Sequence, residues 1–281
     1  MKETEEKEIA KQSKSSFYYA FSLLPQEKRE AMNTVYAFCR KTDDIVDEGD
    51  DSFDIKYAKL HKWRVELEKA LYGESEYSLF NKLSKIIKQF NIPFDPFFDL
   101  IKGMEMDLQK QRYLSMEDLL QYCYRVASTV GLMCIEIFGY KNKSTKNFAI
   151  NLGLALQLTN ILRDVKTDVI NGRIYLPESD MKKFNYSEAE LLNLKYNDNF
   201  AALMAHEANI AKQYFQNATK SLDIDDKPSM FAARAMQHIY YKLLMKLEAN
   251  RFDVFNKKIN VSKFEKTSIA LGVWAKYNLV Y

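Results

Sequence analysis

Asp43 and Asp47 stand one helical turn apart in the string Arg40-Lys41-Thr42-Asp43-Asp44-Ile45-Val46-Asp47, and Tyr36 and Arg40 extend the same face. A second string repeats the device: Gln157, Asn160, Asp164 and Asp168 share one helix face, with Arg163 beside them. Like charges at this spacing cost roughly a few tenths of a kcal/mol per pair on an isolated helix. A bound cation would offset that repulsion. Hard oxygen ligands without His or Cys suit Mg2+, which keeps several waters and bridges protein carboxylates to substrate phosphates. A diphosphate is therefore the natural third party, with Asn160 and Gln157 as neutral donors and acceptors. Arg40 and Arg163 have two readings: they bind phosphate oxygens, or they neutralise the aspartates beside them.

The setting separates these pairs from others of the same spacing. Asp44 with Glu48, Asp50 with Asp54 and Asp95 with Asp99 read as solvated surface or loop charges. Asp43 and Asp47, by contrast, are flanked by Val35, Ala37, Phe38, Ile45 and Val46. Asp164 and Asp168 follow Leu152, Leu154, Ala155, Leu158, Ile161 and Leu162. Both helices are apolar on more than one face, so both are expected to be buried, where carboxylates need partners.

The elements that must hold these residues are helices. Only 8 Gly and 5 Pro interrupt 281 residues, and the apolar positions recur at helical spacing, which predicts an all-α chain. Helices are expected from Pro25 to Asp47, then over 53–71, 77–90, 94–112, 115–138 and 144–170, with Asn171-Gly172 as a stop. Others follow near Glu188 and over 201–221, 228–250 and 261–277. No composition break or linker divides the chain, and 47% hydrophobic content can fill one core, so residues 1–281 read as a single domain. Gly131 and Gly153 fall inside predicted helices, where Gly is unfavourable by roughly 1 kcal/mol relative to Ala. They make room either for a ligand or for close helix packing.

Composition also excludes partners. A net charge of +3, with Lys and Arg scattered among Asp and Glu, lacks the basic stripe that nucleic acid requires. Peripheral contact with an anionic membrane face stays compatible with it. Cys39, Cys123 and Cys134 lack redox or zinc spacing and read as buried free thiols of a reducing cytosol. The charged run 2–8 is not a signal segment, and the most apolar stretches carry polar interruptions, so a cytoplasmic protein is expected, at most peripheral at the inner membrane face. The oligomeric state is not legible in the sequence.

Longer strings carry a family likeness. Ser15-Ser16-Phe17-Tyr18-Tyr19, the run from Leu24-Pro25 to Arg40, Asp43 to Glu48, Tyr122-Cys123-Tyr124-Arg125-Val126-Ala127-Ser128, the run from Gln157 to Asp164, and Arg173-Ile174-Tyr175-Leu176-Pro177 resemble the squalene/phytoene synthase family. The likeness covers 13–177 and fades toward residue 250. Residues 124–140 look closest to bacterial presqualene diphosphate synthases, with phytoene and dehydrosqualene synthases next.

The resemblance implies one isoprenoid-synthase helical bundle around a central apolar cavity. It implies that Asp43, Asp47, Asp164 and Asp168, with Asn160, hold Mg2+ and diphosphate. It makes Tyr36, Arg40, Gln157, Arg163, and Lys14, Ser15 or Ser16 diphosphate contacts, and Tyr122 and Tyr240 cavity tyrosines. Which of Lys14, Ser15 and Ser16 faces the diphosphate is open, because the local spacing departs from the family's.

The implied reaction is head-to-head joining of two prenyl diphosphates, most closely two farnesyl diphosphates giving presqualene diphosphate. Phytoene, dehydrosqualene or NADPH-dependent squalene formation are the alternatives. No Gly-x-Gly-x-x-Gly occurs, which leaves NADPH use open but without a recognisable site. A di-iron bundle is excluded, because no Glu precedes His61, His206 or His238 at the required spacing. A head-to-tail prenyl transferase shares Asp43-Asp44-x-x-Asp47 but not the second string. A non-enzymatic isoprenoid carrier would explain a cavity but not two acidic sites.

Overall fold

A computed structural model describes residues 16–109 and 112–279, with the side chains of residues 16–18 and 278–279 outside that description. Helices α1 (Ser16–Phe21) and α2 (Gln26–Asp47) are separated by a turn ending at Pro25, and α3 (Phe53–Leu71), α4 (Ser78–Phe90) and α5 (Asp95–Gln109) follow. Next come α6 (Met116–Cys123), a π-helical turn (Tyr124–Ser128) and α7 (Thr129–Phe138). The long α8 (Ser144–Ile170) leads to the short α9 (Glu178–Lys183) and α10 (Glu188–Leu192). Helices α11 (Asp198–Ser221), α12 (Phe231–Ala249) and α13 (Lys263–Leu279) complete the order. The described residues form no strand, only an isolated bridge between Arg112 and Ile174, so the all-α expectation holds.

Helix α8 is the centre: α6, the π turn, α7, α11 and α12 all pack on it. Its burial follows from the sequence, since Phe148, Leu152, Ala155, Leu158, Ile161 and Leu162 cover more than one face. Asp226 fixes its start, accepting from the Lys141 amide at 2.7 Å, the Asn142 amide at 2.9 Å and Thr145 Oγ1 at 2.7 Å. Gly172 follows its end with φ +81, a conformation that favours glycine. On α2 the outer face is pinned by Phe38, which packs with Trp63 and Phe97, and by Thr42, which accepts from Trp63 Nε1 at 2.9 Å. The inner face is left turned toward α7 and α8.

The expected single helix over 115–138 is instead divided by the π turn. Two glycines explain the division. A Cβ on Gly153 of α8 would lie 2.5 Å from Ser128 Cα, and one on Gly103 of α5 would lie 2.7 Å from Val126 Cγ1. The turn is thus pressed between two helices at backbone contact, and a residue beyond the α-helical count fits that space. Ser128 Oγ donates to the Ile150 carbonyl at 2.8 Å and fastens the contact. Gly131 meets α8 in the same way, 2.9 Å from the Ala149 carbonyl oxygen to a built Cβ. Both readings of Gly131 and Gly153 therefore combine: they allow close packing, and they border the cavity. Among the described residues no helix is long and apolar enough to cross a membrane.

Candidate functional site

A cavity of about 650 Å³ runs between α2, α7, α8 and α12. Its two ends differ in chemistry because α2 and α8 present different residues along their length. At one end are Tyr36, Arg40 and Asp43 from α2, with Gln157, Asn160 and Asp164 from α8. Toward the start of α8 the wall becomes Leu156, Leu152, Ala149 and Phe148, closed by Phe21 and Phe138. From Asp164 to Phe148 that wall spans about 24 Å at the rise of an α-helix. The arrangement suits a long apolar tail with a polyanionic head.

The acidic end is crowded. Burial pushes the Asp43 carboxyl up to about 7, and the charge of Asp47 adds to the effect while Arg40 opposes it. Burial likewise pushes Asp168 up to about 7, with Asp164 as the next cause. Arg40 lies 3.3 Å from Asp43 Oδ2 and 2.7 Å from Asp44 Oδ1. Arg163 Nε donates to Asp164 Oδ1 at 2.8 Å. Both arginines thus neutralise neighbouring aspartates, while both also face the cavity. Tyr240 lines the cavity beside Arg163 and Asn160, and burial raises its hydroxyl pKa, opposed by Arg163.

Asp47 and Asp168 stand beyond the cavity wall, at the ends of α2 and α8. Arg173, on the connection after α8, joins them to a third helix: it lies 2.7 Å from Asp47 Oδ1 and 3.3 Å from Asp107 Oδ2 on α5. Asp107 is buried, and burial raises its pKa against the opposing pull of Arg173. Tyr175 donates to Asp107 Oδ1 at 2.6 Å, and Tyr122 donates to Tyr175 at 3.4 Å. Tyr122 is accordingly displaced from the position expected of it. It does not line the cavity but stacks on Tyr175, with the Tyr113 ring tilted against it, behind Asp107.

Lys14 and Ser15 lie outside the described residues, and so does the side chain of Ser16, whose backbone opens α1. The remaining expected contacts, Tyr36, Arg40, Gln157, Asn160, Arg163 and Tyr240, meet at one end of one cavity. Four further residues belong to the site and were not singled out from the sequence: Asp107, Arg173, Tyr175 and Lys266. Lys266 of α13 lines the cavity beside Arg163; burial, then that like charge, lowers its pKa. Leu100, Met104 and Asp107 follow helical spacing, so an acid on an apolar stripe was the available signal for Asp107. Arg173 and Tyr175 sat in a string that drew notice only as a likeness. Nothing in the sequence around Lys266 marks it.

Burial also raises the pKa of all three thiols, Cys134 to about 12, so Cys39, Cys123 and Cys134 stay protonated near neutral pH.

The donor set fits a hard divalent cation shared with a ligand. Asn160 Oδ1 is buried without a hydrogen-bond partner, and Asp43 is crowded by Asp47 as Asp168 is by Asp164. Among the described residues no three His, Cys, Asp or Glu side chains come together closely enough to hold a metal unaided. Two carboxylates on each of two helices match a cation that completes its shell with water and phosphate oxygens.

A sequence model described as squalene/phytoene synthase matches residues 10–265. The chain is 35% identical over 272 residues to a 15-cis-phytoene synthase of Synechococcus elongatus, covering 92% of this chain and 88% of that one. A 15-cis-phytoene synthase of Synechocystis is 34% identical, with 96% and 83% covered. A solved dehydrosqualene synthase superposes with a TM-score of 0.85 at 30% identity, covering 98% of this chain and 96% of that one. Squalene synthase HpnC of Alicyclobacillus acidocaldarius gives a TM-score of 0.78 at 26% identity over 88% and 94%.

Proposed function

The chain belongs to the squalene/phytoene synthase family, and on that premise we propose that it joins two prenyl diphosphates head to head. The supporting observation is one cavity with an apolar length and a single end where Asp43 of α2 and Asp164 of α8 meet Arg40 and Arg163. Asp43, Asp47, Asp164, Asp168 and Asn160 would hold Mg2+, which when bound stabilises the negative charge of a departing diphosphate. Arg40 and Arg163, already aimed into the cavity, exchange part of their pairing with aspartate for phosphate oxygens. Tyr36 and Tyr240 bring hydroxyls to the same end.

Departure of the diphosphate leaves an allylic cation, and the double bond of the second substrate attacks it. Loss of one proton then gives a cyclopropylcarbinyl diphosphate. Such cations require water to be excluded, and the wall formed by Phe21, Phe138, Phe148, Leu152 and Met236 does this. Aromatic rings there stabilise positive charge by roughly 0.5–2 kcal/mol each.

The relatives named above are phytoene synthases, and the solved structures a dehydrosqualene synthase and a squalene synthase, which supports a reaction that proceeds through a second ionisation to a hydrocarbon. Arrest at presqualene diphosphate is the second reading, supported by the likeness of residues 124–140. Purified protein is incubated with farnesyl or geranylgeranyl diphosphate, with and without Mg2+ and NADPH. Products are identified by mass spectrometry, intact and after phosphatase. A hydrocarbon formed without NADPH supports the first reading, and a phosphatase-sensitive cyclopropyl product the second. Absence of Mg2+-dependent diphosphate release from both substrates overturns the enzymatic proposal in favour of a carrier.

A further inference from the structure

Residues 173–177 form a strap between α8 and α9. At its cavity end Arg173 and Tyr175 meet Asp47 and Asp107. Its other end runs into α9, where the Glu178 amide donates to the Tyr113 carbonyl at 2.9 Å and the Ser179 amide to the Leu114 carbonyl at 3.1 Å. One turn on, Asp180 lies within hydrogen-bonding reach of Glu207 of α11, and neither lines the cavity. Glu207 is 3% exposed, an unusual burial for a glutamate.

Glu207 Oε1 and Asp180 Oδ2 are both buried without a partner when each is counted as an acceptor. Two acceptors facing each other satisfy one another once one of them carries a proton. The surrounding charges do not offer a better solution. His206 Nε2 is 4.0 Å from Asp180 Oδ1, the Lys183 charge acts on Glu207 only as a minor opposing influence, and the Cys123 thiol of α6 is protonated.

We propose that Glu207 is held as the neutral acid and donates its proton to Asp180, and that this bond latches the strap and positions Arg173 and Tyr175 at the acidic end of the cavity. Glu207 is then a positioning residue. Burial, with the charge of Asp180, pushes its carboxyl up to about 9, so the proton is present at neutral pH. The sign of the linkage follows. A carboxyl raised from 4.5 contributes stability that is full below the unfolded value and is lost as pH rises toward about 9. Asp43 and Asp168 behave alike but finish near 7, and the three buried thiols add a slope of the same sign only as pH nears their ordinary value of 9.0, so the Glu207 contribution is read between about 7 and 9 as the difference from a variant that lacks it.

What the strap serves rests on the proposed reaction, but the latch itself is testable without substrate. Thermal melts of wild type, Glu207→Gln and Glu207→Leu are recorded across that interval. Gln keeps a donor toward Asp180 without titrating; Leu keeps the bulk without the donor. The wild type is expected to lose stability with rising pH, and Glu207→Gln to remain folded with a flatter slope. Stability losses from Glu207→Leu and Arg173→Gln should sum to more than the double variant shows, because a loosened strap no longer seats Arg173. In turnover assays Glu207→Leu should fall about tenfold, with rescue by Gln, as expected for one lost buried hydrogen bond. An unchanged slope in Glu207→Gln, or strictly additive losses, overturns the latch. If wild type forms no product while slope and coupling are as expected, the proposed reaction fails and the latch stands.

Discussion

The Arg173 guanidinium lies 2.7 Å from Asp47 Oδ1, joining the exit of α8 to the end of α2 across 126 residues of sequence. The same guanidinium lies 3.3 Å from Asp107 on α5. One cation therefore holds three helices together at the point where acidic charge is densest. It fills electrostatically the role that a metal–diphosphate complex would share.

Arg173→Gln should lower turnover roughly a hundredfold, the scale seen when one preorganised donor at a developing charge is removed. Arg173→Lys should recover only part: one guanidinium nitrogen, Nη1, makes both carboxylate contacts, and a compact, strongly hydrated ammonium on a flexible stem keeps the charge but not the fixed planar placement. Steady-state kinetics with the preferred prenyl diphosphate, beside melts confirming the fold, make the comparison. Full turnover in Arg173→Gln would remove the residue from the site.

The raised carboxyls give a pH dependence whose sign is fixed. Asp43 and Asp168 move from 3.8 to about 7 on folding, so the folded metal-free protein holds protons that the unfolded chain has released. Their stabilising contribution is complete below pH 3.8 and lost as pH rises through about 7. Metal-free protein should melt at progressively lower temperature as pH rises over that interval. Asp43→Asn and Asp168→Asn should flatten the trend and raise the melting temperature at neutral pH. Asp43→Asn and Asp164→Asn should also abolish most turnover without unfolding the protein. Full activity in both would eliminate the acidic site.

Mg2+ and inorganic pyrophosphate should stabilise the protein together by more than the sum of their separate effects. Each lacks, alone, the partner that completes its coordination between α2 and α8. Binding near neutral pH should also release protons from Asp43 and Asp168. Calorimetry in buffers of different ionisation enthalpy reads the proton count, and a thermal-shift matrix reads the coupling. Strict additivity without proton release would argue against a shared site.

The acidic pairs were legible because period and composition agree there: Asp43 with Asp47 and Asp164 with Asp168 repeat at one turn inside helices too apolar to be surface. Tyr122 was expected at the cavity only from the family likeness, since its own pattern reads as core. A tyrosine on a buried helix face can border a cavity or close a network behind it, and periodicity is the same in both cases. The π turn left no break in the apolar pattern; its signal was Gly153, whose meaning depends on Ser128 of another helix. Arg173, Lys266 and the Asp180–Glu207 contact are tertiary in origin. They join segments whose proximity only the packing of α8 against α11 and of α13 against α12 creates.

Lys266 supplies a test of what the cationic end is for. Its ammonium borders the cavity beside Arg163, and the Tyr19 ring is 5.9 Å away. The combination of burial and a neighbouring like charge is relieved by an anionic ligand. Lys266→Ala should raise KM by about tenfold or more, as expected for a lost charge-assisted hydrogen bond, with a smaller change in kcat and recovery in Lys266→Arg. Because burial and then the Arg163 charge lower the ammonium's pKa, the wild-type KM should rise at alkaline pH more steeply than that of Lys266→Arg. Unchanged KM in the alanine variant would place the diphosphate elsewhere.

On the proposed reaction, the far end of the cavity is where tail length would be measured. Phe21 and Phe138 pack with ring centroids 6.2 Å apart, and both line the cavity. They stand at the end away from Asp43, because Lys28, near the start of α2, donates to the Phe138 carbonyl at 2.6 Å. Removing either ring opens space along the tail's direction without touching the acidic end. Phe21→Ala or Phe138→Ala should therefore shift the kcat/KM ratio toward the longer of farnesyl and geranylgeranyl diphosphate, at a stability cost of roughly 3–5 kcal/mol in the absence of substrate. Competition assays with both substrates read the ratio, and longer substrate should restore part of the lost melting temperature by filling the space. An unchanged ratio in both variants would show that tail length is measured at another wall, with Leu152 and Met236 the next residues to shorten.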